Sequence, residues 1–304
     1  MKKKKLPLII DTDPGVDDTL AMRILFGSDE LDIRLVCSVA GNVSIDLTTV
    51  NTLYLTRLWG GDIPVARGCA SPLGVDAAYV HGAGGLGGYK LPPQSYAPDL
   101  TDAVEAMYGA IGASADPVTF ITFGPLTNIG ALLKKHPDVK DKITRIYAMI
   151  ASKDGTGNIT PYAEFNAYCD PPALRAVVDA GIETVFAPMH LGRESKLPMS
   201  ELLSRAEGTD MAVMMKDMFA GYRDSAAGDG YVAMYDANAA EALLRPELYD
   251  FVRCGATVNV TDKPGQTFLT ADPDGKFFRI EIRDKEKLAD AMYEDLFGKQ
   301  ENKK

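Results

Sequence analysis

Four aspartates crowd a short segment near the N-terminus: Asp11, Asp13, Asp17 and Asp18, in DTDPGVDD. No Lys or Arg interrupts the stretch, so its carboxylates would hold their protons unless a cation sat among them. A donor set made only of oxygen suits Ca2+ or Mg2+ better than zinc. A metal beside a carboxylate also suits the activation of a water for attack. The plainer reading is capping. Pro14 and Gly15 make a tight turn, and Asp17 or Asp18 in a first helical turn is favoured by the helix dipole. Capping accounts for any one of these residues, and for Asp11 as readily as a site does, but not for the whole set.

The elements that must position these carboxylates are legible as an alternation. Short apolar runs at 6–10, 33–40, 118–123, 143–150 and 184–188 are rich in β-branched or aromatic residues, as strands buried on both faces are. Helical patterns fall between and after them, at 19–26, 47–59, 101–113, 128–135 and 172–180. The expected fold is α/β: one domain over 1–304, with a Rossmann-like, mainly parallel sheet flanked by helices. A helix at 237–244 and strands at 256–260, 266–269 and 277–282 predict a small antiparallel C-terminal addition.

Open parallel sheets bind ligands beyond the carboxyl ends of their strands. The loops at those ends are therefore informative. DTDPGVDD comes after the first strand, AGNVS with Asn42 after the second, GPLTN after the run at 118–123, and a polar loop ending GNITPYAEFN after the run at 143–150. These loops should meet on one rim. A strand followed by DxD also opens the haloacid-dehalogenase-like phosphatases, whose first Asp is the nucleophile. Phosphate clamps of Lys, Arg or a Gly-rich loop are not visible after the other strands. Asn, Glu and Met stand there instead, and their amides and carboxylate pair with neutral hydroxyls. A sugar fits better than a phosphate.

Composition excludes other partners. The formal charge is -10, from 32 Lys+Arg against 42 Asp+Glu, which argues against nucleic acid or an anionic membrane. The opening MKKKKLPLII is basic, but its apolar run ends at Asp11, too soon for an export segment. Cys37, Cys69, Cys169 and Cys254 show no metal spacing and read as free thiols of a reducing cytoplasm.

DTDPGVDD, VAGNVS, VHGAGGLGG, FGPLTNIGALL, GNITPYAEFNAYCDPPAL and MYDANAAEALLRPELYD stand in that order. In this the chain resembles the calcium-dependent, inosine–uridine-preferring nucleoside hydrolases, over nearly its whole length. The resemblance implies hydrolysis of the N-glycosidic bond of ribonucleosides to ribose and free base, with Ca2+ as cofactor and a homodimer or homotetramer as the assembly. It implies that Asp13 ligates calcium and acts as general base on a calcium-bound water. Asp18, the Phe123 carbonyl and Asp236 would be further calcium ligands, with Asp236 also touching the ribose. Asp17, Asn42 and Asn166 would bind the 2′- and 3′-hydroxyls, Asn158 and Glu164 the 5′-hydroxyl, and Met149 would pack beside the sugar.

Two departures from the family pattern fall near the reacting bond. Tyr235 stands before Asp236 where many members have a His that protonates the leaving base. Tyr235 would then donate to the base or stack on it; packing beside a helix start is its plainer reading. Met149–Ile150–Ala151 replaces the usual Met-Gly-Gly. Of three histidines, His136 before Pro137 and His190 after a strand read as structural. His81, heading a Gly-rich loop expected to be mobile, is placed by the resemblance near base and ribose. Tyr222 and Tyr231 would contribute a second lid over the base, or simply pack. Two rival functions stay open: a non-catalytic ribose- or calcium-binding protein on the same fold, and a metal-dependent phosphohydrolase.

Overall fold

The computed structural model describes residues 4–93, 97–224, 228 and 230–298. Strands β1 (Leu6–Thr12), β2 (Leu31–Ser38), β3 (Val65–Ala66), β4 (Val118–Thr122), β5 (Ile143–Met149) and β6 (Thr184–Ala187) pair in parallel. A two-stranded antiparallel ribbon, β7 (Leu197–Pro198) with β8 (Tyr231–Val232), lies apart. Strands β9 (Tyr249–Val258), β10 (Thr267–Ala271) and β11 (Phe277–Ile282) pair antiparallel among themselves. They form the small antiparallel C-terminal addition, and it is joined to the main sheet. β11 pairs in parallel with β6, so the order is β3-β2-β1-β4-β5-β6-β11-β9-β10 in one nine-stranded sheet.

Helices cover both faces: α1 (Val16–Gly27), α2 (Ile45–Leu55), α3 (Ala78–His81), α4 (Ala103–Ala113), α5 (Thr127–Lys135), α6 (Phe165–Cys169), α7 (Pro171–Ala180), α8 (His190–Glu194), α9 (Met199–Ala206), α10 (Ala212–Gly221), α11 (Tyr235–Leu244) and α12 (Lys285–Phe297). The alternation along β1 sends Leu8 and Ile10 into one core and Ile9 into the other. The same alternation carries on into polar residues. Thr12, on the Leu8 side, donates to Asp18 of α1 at 2.8 Å, while Asp11, on the Ile9 side, accepts from Asn128 of α5 at 2.7 Å.

Helix α1 begins three residues before the apolar pattern does. Gly15 is its cap, and the Asp18 carboxylate reaches back to the Gly15 N–H at 2.9 Å. Helix α12 is absent from the expected elements, although Leu288, Met292 and Leu296 recur at i, i+4, i+8 and are buried. Its sequence is dominated by charge, which hides that stripe. Among the described residues, no helix is long and apolar enough to cross a membrane.

Glu241 of α11 is fully buried and neither carboxylate oxygen has a hydrogen-bond partner among the described residues. Its nearest cation, Arg245, is 3.9 Å away but is already bound to Asp295 at 2.7 Å and Glu294 at 2.8 Å. Burial first, then the Asp295 charge, pushes the Glu241 carboxyl from 4.5 to about 8. Between those values the folded protein keeps a proton that the unfolded chain gives up, so stability falls as pH rises through the window. Glu241→Gln removes this loss. Its thermal midpoint should exceed that of the parent by roughly several degrees at pH 8 and match it near pH 4. An equal difference at both pH values would show that shape, not the proton, decides.

Candidate active site

The carboxyl ends of β1, β2, β4 and β5 converge as expected, and Asp13 sits at their centre. Asp13 is wholly buried and accepts from the Asn42 N–H at 2.7 Å through one oxygen. Its other oxygen, Oδ1, has no hydrogen-bond partner among the described residues. Gly41 and Gly124 make room for it: a Cβ on Gly41 would lie 2.0 Å from Asp13 Oδ2, and one on Gly124 2.6 Å from Oδ1. The Asn42 side chain donates to the Asp13 carbonyl at 3.1 Å and to Asp18 at 2.9 Å. It therefore braces the acidic loop as well as lining the cavity.

Asp17, Asp18 and Asp236 bring carboxylate oxygens within 4.8 Å of one another, a group able to hold a metal ion. Asp236 reaches this point from the first turn of α11. Asp13 stands beside this trio rather than in it, and Asp17, expected at the sugar, is a member. Burial is the first cause that raises all four carboxyls. The Asp18 charge comes next for Asp13 and Asp17, and the Asp17 charge for Asp236. One oxygen each of Asp13 and Asp17 has no hydrogen-bond partner among the described residues. An all-oxygen, anion-rich pocket of this kind fits a hard divalent cation, which would satisfy those oxygens and let the carboxyls ionise.

The acidic group opens into a cavity of about 500 Å³ lined by Asp17, Asn42, Phe123, Met149, Asn158, Glu164, Asn166, Tyr235, Asp236 and His81 among others. That volume suits a small organic ligand. Asn166, at the start of α6, donates to the Phe123 carbonyl at 2.7 Å and the Met149 carbonyl at 2.9 Å. Asn158 is exposed and stands at the rim. Glu164 is buried as the cap of α6 and accepts three backbone N–H groups: Asn166 at 2.9 Å, and Ala167 and Ala151 at 3.0 Å. Burial, only partly offset by those bonds, lifts it to about 7.

Ala151 donates one of those bonds from a left-handed backbone, φ 82°, a region that favours glycine. A non-glycine residue there costs roughly 1–3 kcal/mol, against about 0.5–1 kcal/mol of extra chain entropy lost by glycine. Ala151→Gly should thus raise the denaturant midpoint, by roughly 1 kcal/mol of stability. A lower midpoint would contradict the strain.

At the other end of the cavity, His81 accepts from the Val16 N–H at 3.2 Å through Nδ1, which leaves its proton on Nε2. Burial pulls its pKa down to about 4, so the ring is neutral. A Cβ on Gly15 would lie 2.6 Å from that nitrogen, so only glycine lets the acidic loop pass under the ring. The glycine-rich loop after His81 is packed rather than loose. Leu86 is buried, Gly88 donates to the Asp217 carbonyl at 3.0 Å, and Asn51 donates to the Gly84 carbonyl at 2.9 Å. Tyr222 is buried beside His81, ring centroids 6.0 Å apart, and its hydroxyl donates to Asp224 at 3.2 Å. Tyr231 lines a neighbouring hollow instead. Residues 225–227 and 229, within the expected second lid, lie outside the described residues.

Tyr235, the first residue of α11, lines the cavity, as does Arg193. Arg193 was not among the expected residues, nor were Tyr79, Arg223 and Asp224, which also line the cavity. Arg193 lies just past β6, so following that strand's end as well would have found it. The other two histidines lie elsewhere: His136 stacks on Tyr108 at 3.9 Å, and His190 bonds Glu281 at 3.1 Å.

The model of the inosine-uridine preferring nucleoside hydrolase family matches residues 8–294. The chain belongs to that family. It is 37% identical over 274 residues to the non-specific ribonucleoside hydrolase RihC of Shigella boydii, covering 89% of this chain and 90% of the relative. RihC proteins of Escherichia coli match to the same extent. Among solved structures, a plant nucleoside hydrolase, PpNRh1, superposes with TM-score 0.87 at 25% identity, covering 96% of this chain and 99% of that one. The purine-preferring ribonucleoside hydrolase of Gardnerella vaginalis has the same fold, with TM-score 0.87 at 24% identity over 96% and 98% of the two chains.

Proposed function

We propose that this member of the family hydrolyses the N-glycosidic bond of ribonucleosides, with Ca2+ as its cofactor. The observation that carries the reading is the arrangement of one cavity: a buried aspartate cluster at its floor, with Asn42, Asn166 and Glu164 on its walls. Its similarity to non-specific ribonucleoside hydrolases supports the same reading.

Asp13, Asp18, the Phe123 carbonyl and Asp236 are the proposed cation ligands, and the position of Asp17 makes it a further candidate. A bound calcium ion supplies positive charge that keeps the carboxylates ionised and makes a nearby water more acidic. Asp13, whose Oδ1 has no partner among the described residues, takes a proton from that water. The water oxygen and its other hydrogen go to C1′, the bond from C1′ to the base nitrogen breaks with its electron pair on the base, and the proton held by Asp13 ends on the base. As that bond stretches, the ribose gains positive charge. Asp17, Asp236 and Glu164 stabilise that charge more than the neutral ground state, and Met149 packs beside the ring. Asp17, Asn42 and Asn166 hold the 2′- and 3′-hydroxyls, Asn158 and Glu164 the 5′-hydroxyl. His81 presents its Nε2–H near base and ribose.

Removing the 2′-hydroxyl leaves buried acceptors unpaired, at roughly 1–3 kcal/mol each. Ribonucleosides should therefore outpace their 2′-deoxy counterparts in kcat/KM by roughly 10–100-fold. Equal values for inosine and 2′-deoxyinosine would remove the sugar-reading role of these residues. The four thiols, all free, suit a reducing cytoplasm, and a homodimer or homotetramer is the assembly we propose.

A further inference from the structure

Strand β10 is the outermost strand of the nine-stranded sheet, and an edge strand presents backbone groups that need partners. The loop that follows β5 supplies them. Leu269 donates its N–H to the Lys153 carbonyl at 3.1 Å, and single bridges join Asp154 to Phe268 and Ala163 to Gln266. The loop is thus gripped at both ends, and the stretch between carries Asn158 to the cavity. Side chains strengthen the grip. Thr267 is buried, and its hydroxyl answers both backbone groups of Ser152, accepting from the N–H at 2.7 Å and donating to the carbonyl at 3.1 Å. Gln266, just before the strand, donates its side-chain N–H to the Gly155 carbonyl at 3.2 Å. Gly155 has φ 78°, and a Cβ there would lie 2.4 Å from the Phe268 ring, so only glycine passes beneath it. Neither Thr267 nor Gln266 is among the residues lining the cavity.

We propose that Thr267 and Gln266 are positioning residues, which set the loop at 151–164 where Asn158 and Glu164 meet the ribose 5′-hydroxyl. The inference rests on the nucleoside hydrolase reading and on its assignment of the 5′-hydroxyl to those two residues. The path is short and continuous. Ser152, held at both backbone groups by Thr267, follows Ala151, whose N–H donates to Glu164 at 3.0 Å. At the far end, Ala163 is bridged to Gln266, precedes Glu164 in the chain and accepts the Asn158 N–H at 3.1 Å. Both groups assigned to the 5′-hydroxyl therefore take their place from the edge of the sheet. Rate depends steeply on such placement, even when the displaced contact lies away from the breaking bond. The antiparallel strands line no part of the cavity, and through this contact they govern how firmly the 5′ end of the sugar is held.

The test compares inosine with 5′-deoxyinosine, which lacks only the hydroxyl that the loop is placed to hold. The parent should prefer inosine in kcat/KM by roughly tenfold or more. Thr267→Val keeps the shape but not the hydroxyl that binds Ser152. It should cut that preference to within about threefold of unity, by slowing inosine and leaving 5′-deoxyinosine nearly unchanged. Thr267→Ser, which keeps the hydroxyl, should retain the parental preference. The preference for inosine over 2′-deoxyinosine, read at the other end of the ribose, should stay parental in every variant. Gln266→Met removes the bond to Gly155 from a half-buried position and should shift the 5′ ratio the same way by less. It keeps the test valid if Thr267→Val folds poorly. A parental 5′ ratio in the folded variants, with all three substrates slowed alike, would show that these residues serve stability alone and would overturn the inference. So would a parent that hydrolyses inosine and 5′-deoxyinosine equally fast, because the 5′-hydroxyl would then not be held. A parent that releases base from no nucleoside would overturn the function itself.

Discussion

Asp13→Asn lowers kcat on ribonucleosides by roughly 10²–10⁴-fold, the range that a positioned general base supplies. The substitution is nearly isosteric, and one side-chain oxygen can still accept from the Asn42 N–H that Asp13 holds at 2.7 Å. What it removes is the basic oxygen at the centre of the site. Asp13 is buried among like charges, with Asp18 and Asp17 both opposing its ionisation. The cation-free variant should consequently be no less stable than the cation-free parent, which separates lost chemistry from lost fold. Steady-state kinetics beside thermal unfolding reads both. Turnover within about tenfold of the parent would place the base elsewhere.

Stripping divalent cations with EGTA abolishes turnover and lowers the thermal midpoint by roughly 5 °C or more. The size of the second effect depends on pH in a definite direction. Without a cation, burial raises Asp13, Asp17, Asp18 and Asp236 above the ordinary 3.8, and repulsion between carboxylates adds to it at Asp13, Asp17 and Asp236. The folded protein then binds more protons than the unfolded chain, and its stability falls as pH climbs above that value. A cation takes the protons' place and removes that fall. The gap between calcium-loaded and stripped protein should therefore widen from pH 5 to pH 8. A gap that narrows, or full turnover in protein shown by metal analysis to be cation-free, would contradict a cation at this site.

The acidic stretch was readable because its function and its local structure use the same residues. An apolar run, a Pro-Gly turn and an Asp-rich helix start are each visible, and the strand-end rule says where they point. Asp11 shows the limit within that same stretch. Only its partner Asn128, on a helix more than a hundred residues away, shows that it ties β1 to α5. Glu164 shows another. Its sequence context suggests a ligand, yet the structure has it accepting three backbone N–H groups, one from a strained Ala151. Capping of a short helix by a residue that also lines a cavity leaves no separate mark in the sequence. Arg193 lies beyond a strand end as well, but next to Glu194 in a short helix it has the pattern of a surface residue. The C-terminal strands had the right pattern and spacing, whereas their docking on β6 depends on long-range pairing that periodicity does not encode.

One product analysis bears on all of these residues together. Purified protein with calcium, in phosphate-free buffer, is given inosine and uridine, and free base and reducing sugar are counted against nucleoside consumed. One base and one ribose per nucleoside, with neither formed after Asp13→Asn, is the predicted result. Binding without release of base, or release of base only when inorganic phosphate is added, would contradict hydrolysis at this site.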